Sequence, residues 1–235
     1  MPRADGTDVS RWQGVIHWPD VAAAGITWAA TRVWDRQDQT IDRTFAANRA
    51  GMSFARHRLL YDWLEPGQGR IGAERWLSIV MPLAEGEGAM LDAEQDDVEL
   101  GTITEDDALD WLAIVEAATG RPAAVYTGAY CAGGSIWRSP GIFNGTRPRV
   151  FACYTSEAEA HTHAGGFEWD AWQWTSSGWL PGVSTLVDLD QVDHPDAFDP
   201  VCGLGVARPA TALDHDPEQA LQLAGLTGER YRLGP

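Results

Sequence analysis

The chain has 235 residues, 44% hydrophobic and 22% charged, which suits a soluble globular protein with a full core. Its formal net charge is −17 and all 17 basic residues are arginines, so no basic patch can be assembled for nucleic-acid phosphate or for an anionic membrane surface. A neutral substrate, held by hydrogen bonds and stacking, fits better.

Strand-like and helix-like segments alternate along the chain. Gly6 to Ser10 reads as a first strand ending in polar residues, and Trp18 to Gly25 as a short helix with Pro19 in its first turn and Gly25 at its end. Thr27 to Val33 is a second strand, Asp42 to Ala50 a helix stopped by Gly51, and Ser53 to Leu60 a third strand running into a loop over Tyr61 to Gly67. A helix over Ile71 to Val80 sets Ala73, Trp76, Leu77 and Val80 on one face. An apolar strand around Met90 follows.

The clearest helix spans Glu105 to Ala118, with Thr104 as N-cap and acids in the first turn, where the helix dipole favours them. Further strands are expected at Ala123–Thr127, Val150–Tyr154, Ala171–Thr175 and Leu186–Leu189, joined by Gly- and Ser-rich connections such as Ala132 to Ser135. Trp28, Trp76 and Trp111 fall inside elements and read as core. About eight strands with three or four helices, and no GxGxxG or GxxxxGK[ST], point to an irregular, TIM-like (β/α) barrel with a largely parallel sheet. Residues 1–205 form this unit. Residues 206–235 read as a tail with a short helix over Pro217 to Ala224, capped by Asp216.

The N-terminus, MPRADGTDVSRW, has no apolar signal core, and no apolar run is long enough to span a bilayer. Synthesis in the cytoplasm without a signal peptide is expected. Cys131, Cys153 and Cys202 are odd in number and widely spaced, matching neither a redox CxxC nor a zinc knuckle, and read as reduced and mostly buried. No metal or cofactor is expected. Asp92 to Asp97 lacks the Gly and Glu of a calcium loop, with Asp97 and Ile103 in those places. His161 and His163 lack an apparent third ligand and read as a solvated loop.

In an α/β barrel the reactive groups gather at the C-terminal ends of the strands. Acids occur at several of these ends: Asp8, Asp35, Asp62, Asp92 with Glu94, and Asp188 with Asp190. Asp92 and Glu94 are spaced i, i+2 and share a face if the backbone stays extended. Alone that pair equally describes a solvated loop or a cap. An acid-lined pocket flanked by Tyr61, Tyr126, Tyr154 and Trp174 would suit glycoside hydrolysis, which needs an acid for the leaving oxygen, a carboxylate for the developing positive charge and aromatics for the rings.

The motifs Asp8-Val9-Ser10-Arg11-Trp12-Gln13-Gly14, Leu91-Asp92-Ala93-Glu94, Val125-Tyr126-Thr127-Gly128, Phe151-Ala152-Cys153-Tyr154, Ala171-Trp172-Gln173-Trp174 and Val187-Asp188-Leu189-Asp190 follow in order over residues 5–193. This series resembles the glycoside hydrolase family 25 muramidases, the Chalaropsis-type lysozymes, among which phage endolysins are common. The resemblance implies cleavage of the β-1,4 bond between N-acetylmuramic acid and N-acetylglucosamine in peptidoglycan. It implies Glu94 as general acid/base and Asp92 as the carboxylate that handles the 2-acetamido group, with Asp8 and Asp188 lining the pocket. Trp12, Tyr61, Tyr126, Tyr154, Gln173 and Trp174 are the implied substrate contacts.

The partner would be the glycan strand, reached after holin-dependent release or from a virion, with no wall-binding repeat in the chain. Two stretches depart from the family pattern, Arg56-His57-Arg58-Leu59 and Arg32-Val33-Trp34-Asp35-Arg36, and they put sugar recognition in question. A chitinase-like DxxDxDxE reading matches only at Asp92 and Glu94, with Glu87 and Met90 at its first two positions. A wall-binding or virion structural protein without turnover is the third reading.

Overall fold

The computed structural model describes residues 2–94, 103–128, 142, 143, 146–164 and 168–205. Among these, the order is β1 (Gly6–Val9), α1 (Trp18–Ala23), β2 (Trp28–Arg32), β3 (Trp34–Asp35), β4 (Thr40–Ile41), α2 (Phe45–Gly51), β5 (His57–Trp63), α3 (Gly69–Val80), β6 (Glu87–Asp92), α4 (Glu105–Thr119), β7 (Ala124–Gly128), β8 (Arg149–Ala152), α5 (Glu157–Ala164), β9 (Ala171–Gly178) and β10 (Val187–Val192). Eight strands close a barrel in the order β1-β10-β9-β8-β7-β6-β5-β2, and β3 and β4 form a separate small hairpin.

The barrel is mixed rather than wholly parallel. From β2 round to β9 neighbouring strands are parallel, as are β1 and β2, whereas β10 is antiparallel to both β9 and β1. The cause is connection length. A parallel return needs a crossover of a dozen or more residues, and the short link between Gly178 and Val187 permits only a hairpin. Strand β10 therefore starts at the end of the barrel where the other seven finish.

Alternation along the strands sorts the side chains. Trp28, Ala30, Leu59, Tyr61, Met90, Ala124, Tyr126, Val150, Ala152, Ala171 and Val192 fill the interior with Phe198, Val201 and Cys202. Leu60, Ala89, Leu91 and Val125 face outward into the helical layer, where Trp76 and Trp111 meet edge to face at 5.6 Å. Both tryptophans satisfy their N–H groups: Trp76 donates to the Leu60 carbonyl at 3.1 Å and Trp111 to Asp62 Oδ2 at 3.0 Å. The N-cap of α4 is as expected, with Thr104 and Asp107 bonded reciprocally in a capping box.

The segment after β10 plugs the bottom of the barrel. A Cβ on Gly88 would lie 2.5 Å from Val201 Cγ1 and 2.8 Å from its carbonyl oxygen, so only glycine lets this segment dock. Arg56 grips both Asp199 oxygens, at 3.0 and 2.7 Å, and His57 Nε2 lies 2.7 Å from Oδ1. Arg58 donates to the carbonyls of Ser53 and Glu85. The Arg56 to Leu59 departure thus serves closure of the barrel floor, at the opposite end from the strand-end acids.

Several local expectations need correction. The third strand begins at His57 and continues through Tyr61 to Trp63, because Leu59 and Tyr61 alternate into the barrel; Met52–Phe54 form a 3-10 turn instead. His161 and His163 lie on helix α5 rather than in a loop, with the His161 ring stacked on Trp169 at 4.4 Å. Cys153 is disulfide-bonded and Cys202 is free and buried, so the cysteines are not all reduced. Cys131, the Ala132 to Ser135 connection and the tail of residues 206–235 lie outside the described residues.

Candidate active site

The seven parallel-running strands end, and β10 begins, around a cavity of about 350 Å³ lined by Asp8, Tyr61, Met90, Asp92, Glu94, Tyr126, Gly128, Ala152, Tyr154, Gln173 and Asp188. Asp8 comes from β1, and Asp92 ends β6. The backbone stays extended past that strand, because Ala93 donates to the Tyr126 carbonyl at 2.9 Å and its methyl is fully buried. Asp92 and Glu94 therefore project to the same side, into the cavity. A Cβ on Gly128 would sit 3.0 Å from Glu94 Oε1, so this glycine leaves the space that the glutamate occupies. Its role was not anticipated, although the Val125-Tyr126-Thr127-Gly128 motif contains it.

Strand direction explains which of the last two acids reaches the cavity. Because β10 runs downward, Asp188 lines the rim and Asp190 lies one pleat deeper, opposite Gly6. Asp190 is fully buried, and neither of its oxygens has a hydrogen-bond partner among the described residues.

Gln173 organises the floor of the site. Its oxygen accepts from the Tyr126 hydroxyl at 3.0 Å and the Tyr154 hydroxyl at 2.7 Å, and its amide nitrogen donates to Asp8 Oδ2 at 2.5 Å. Burial pushes both phenols up, aided by the surrounding carboxyls, so they remain donors at any working pH. With its oxygen taken by two O–H groups, Gln173 can present only its NH₂ to Asp8.

The acids resist ionising together. Burial raises Asp8 to about 6, and the bond from Gln173 holds it down from going further. Burial, then Asp8 and Glu94, raise Asp188 to about 8. Asp92 goes well above the ordinary carboxylate range, through burial and then repulsion from Glu94 and Asp8, with Arg36 opposing. Near neutral pH the negative charge therefore collects on Asp8 before Asp188 or Asp92, leaving protons in the cluster for transfer. Asp92 Oδ1 is buried and accepts no hydrogen bond from the described residues.

The other candidates are placed as follows. Asp35 is sealed in ion pairs with Arg11 and Arg32 at 2.5 and 3.2 Å, so the Arg32 to Arg36 departure builds a buried charge network beside the site. Asp62 faces the helical layer, where burial raises it to about 7. Trp174 points out of the barrel and donates to the Arg3 carbonyl at 3.1 Å. Trp12 is 61% exposed outside the cavity lining. Among the described residues, no three His, Cys, Asp or Glu side chains are grouped to hold a metal ion.

The family model for glycosyl hydrolases family 25 matches residues 7–183. The chain belongs to glycoside hydrolase family 25. It is accordingly a glycoside hydrolase, and its barrel is that of the family. Three solved structures illustrate the fold. A bacterial lysozyme from Streptomyces coelicolor is 21% identical, with a TM-score of 0.67 over 84% of this chain and 96% of that one. The catalytic domain of an endolysin from a bacteriophage of Listeria monocytogenes is 19% identical, with a TM-score of 0.63 over 84% and 96%. A muramidase from Trichobolus zukalii is 16% identical, with a TM-score of 0.62 over 84% and 98%. No curated protein sequence matches the chain.

In this family 25 enzyme the Gln173 hub makes a testable prediction. Gln173→Met keeps the volume but removes the donor to Asp8 and the shared acceptor for two phenols. The Asp8 pKa should rise, since burial stays and the opposing bond is lost. The acidic limb of the pH–rate profile should move up by roughly one unit or more, the worth of one hydrogen bond to a charged group. An unmoved limb would separate Gln173 from the titration of Asp8.

Proposed function

We propose that the enzyme is an N-acetylmuramidase that cleaves the β-1,4 bond after N-acetylmuramic acid in peptidoglycan. The observation that carries this reading is the pair Asp92 and Glu94, held on one face of an extended strand end and lining the cavity together. Glu94 is the proton donor to the leaving glycosidic oxygen. The Asp92 carboxyl takes the N–H of the 2-acetamido group, turning the acetamido oxygen toward the anomeric carbon. That oxygen forms a bond to C1 as the C1–O bond breaks and the Glu94 proton moves to the leaving oxygen. Water then opens the cyclic intermediate, giving its proton back to Glu94. Asp8 carries the compensating negative charge beneath the developing cation.

The fold neighbours named as lysozyme, muramidase and endolysin support a cell-wall substrate, and the endolysin supports a role in phage lysis, after holin-dependent release or from the virion. The disulfide at Cys153 suits a place of action more oxidising than the cytoplasm. A chitinase-like pattern finds no support: Glu87 is paired with Arg49 at 2.7 Å and serves the barrel floor, and Met90 brings no acid to the cavity. Mass analysis of digested peptidoglycan tests the proposal. The expected products carry N-acetylmuramic acid at the new reducing end. Products ending in N-acetylglucosamine, or an undigested wall, would refute it.

A further inference from the structure

The rim beside Asp188 carries apolar side chains that the cavity does not use. Trp179 is 74% exposed, Trp12 61% and Leu186 45%, and Val15 nearby is almost wholly exposed. Two loops present them. Gly178 pairs with Val187, so Trp179 and Leu186 stand as the next residues outward on the two arms of the β9–β10 hairpin, with Asp188 two positions below Leu186. Trp12 and Val15 lie on the loop after β1.

The loops are fastened together. The Gln13 side chain donates to the Leu186 carbonyl at 3.4 Å, and the His17 N–H donates to the Gly182 carbonyl at 2.8 Å. A Cβ on Gly182 would lie 2.4 Å from the His17 oxygen, so the approach is as close as backbone allows. On the β1 side, Ser10 and Gln13 form a capping box, and the Arg11 guanidinium, buried against Asp35, backs the Trp12 ring at 4.7 Å. The loops that carry two indoles and a leucine are thus fixed to each other, and the three side chains are left in water.

We propose that Trp179 and Leu186, with Trp12, form a distal sugar platform, which takes N-acetylhexosamine rings of the glycan strand beyond the bond being cut. The proposal rests on the peptidoglycan reading given above. Continuity argues for this occupant: a strand lying across Asp92 and Glu94 and leaving past Asp188 crosses these side chains next. Sugar rings offer apolar C–H faces and a polar edge, the complement of an indole standing at a wet rim. The N-acetylglucosamine rings of that strand are neutral and meet no repulsion from a chain of net charge −17.

The test compares Trp179→Ala and Trp179→Phe with wild type on two substrates, long peptide-stripped glycan strands and a trisaccharide too short to leave the cavity. For Trp179→Ala the loss in kcat/KM on long strands should exceed the loss on the trisaccharide by about fivefold to tenfold, mainly through KM, and Phe should restore most of it. Equal losses on the two substrates, or a wild-type dimer that Trp179→Ala dissociates, would overturn the platform. If wild type cleaves neither substrate, the peptidoglycan reading has failed instead, and retention on glycan-coated beads that Trp179→Ala does not weaken would remove the platform too.

Discussion

Glu94→Gln is expected to lower the release of new reducing ends from cell walls by about 10²- to 10⁴-fold, the usual worth of a positioned general acid. The glutamine amide fits the space beside Gly128, where Glu94 Oε1 already defines the closest approach, so the fold has no reason to change. What is lost is the proton that must reach the leaving oxygen. Replacement also removes one carboxyl that raises both Asp92 and Asp188, so their proton affinity should fall and the residual activity should show a shifted pH profile. Reducing-sugar assays and circular dichroism on the same preparation give the answer. Near-normal turnover in a folded variant would end the case for Glu94 as proton donor.

Asp190→Asn should stabilise the protein, increasingly as pH rises. Burial, then Asp8 and Asp188, push the Asp190 carboxyl well above the ordinary range. In the unfolded chain an Asp ionises near pH 4, whereas in the barrel it keeps its proton to higher pH. A raised folded-state pKa means that the acid's contribution is complete below about pH 4 and is lost as pH climbs toward that pKa. Asparagine has the same shape and does not titrate. The stability difference should be small at pH 4 and widen by up to about 1.4 kcal/mol per pH unit above it. Denaturant unfolding at pH 4, 6 and 8 measures it, and a difference that stays flat with pH would contradict the burial of a proton at Asp190.

Asp190 also marks where sequence reading stops. In Val187-Asp188-Leu189-Asp190 the two acids have the same spacing as Asp92 and Glu94, and nothing local tells rim from interior. Strand polarity decides it, and polarity follows from a connection too short for a parallel crossover. Asp35 and Asp62 are parallel cases: both stand at strand ends in the sequence, yet one is locked to Arg11 and Arg32 and the other faces Trp111 in the helical layer. Pleat and tertiary partners, not residue type, remove them from the site.

That Asp8, Asp92, Glu94 and Asp188 lie near strand ends was legible because the motifs that hold them stand in a fixed order. The core tryptophans and the Thr104 cap were legible for a local reason, since period and capping chemistry act within a few residues. Gln173 as a hub was not, because its orientation depends on two phenols, one from β7 and one from the loop after β8, and on an acid from β1, 165 positions away. The platform at Trp179 was equally hidden, for exposure is a property of the closed barrel.

By itself, then, the amino-acid sequence determined the eight barrel strands, the helices α1 to α4 and which acids can meet at one barrel end. Only the tertiary structure decided which of those acids share the cavity, which keeps its charge, and which is buried with its proton. The physical reason is that hydrophobic period and capping are local, whereas desolvation and charge repulsion depend on groups that only the fold brings together.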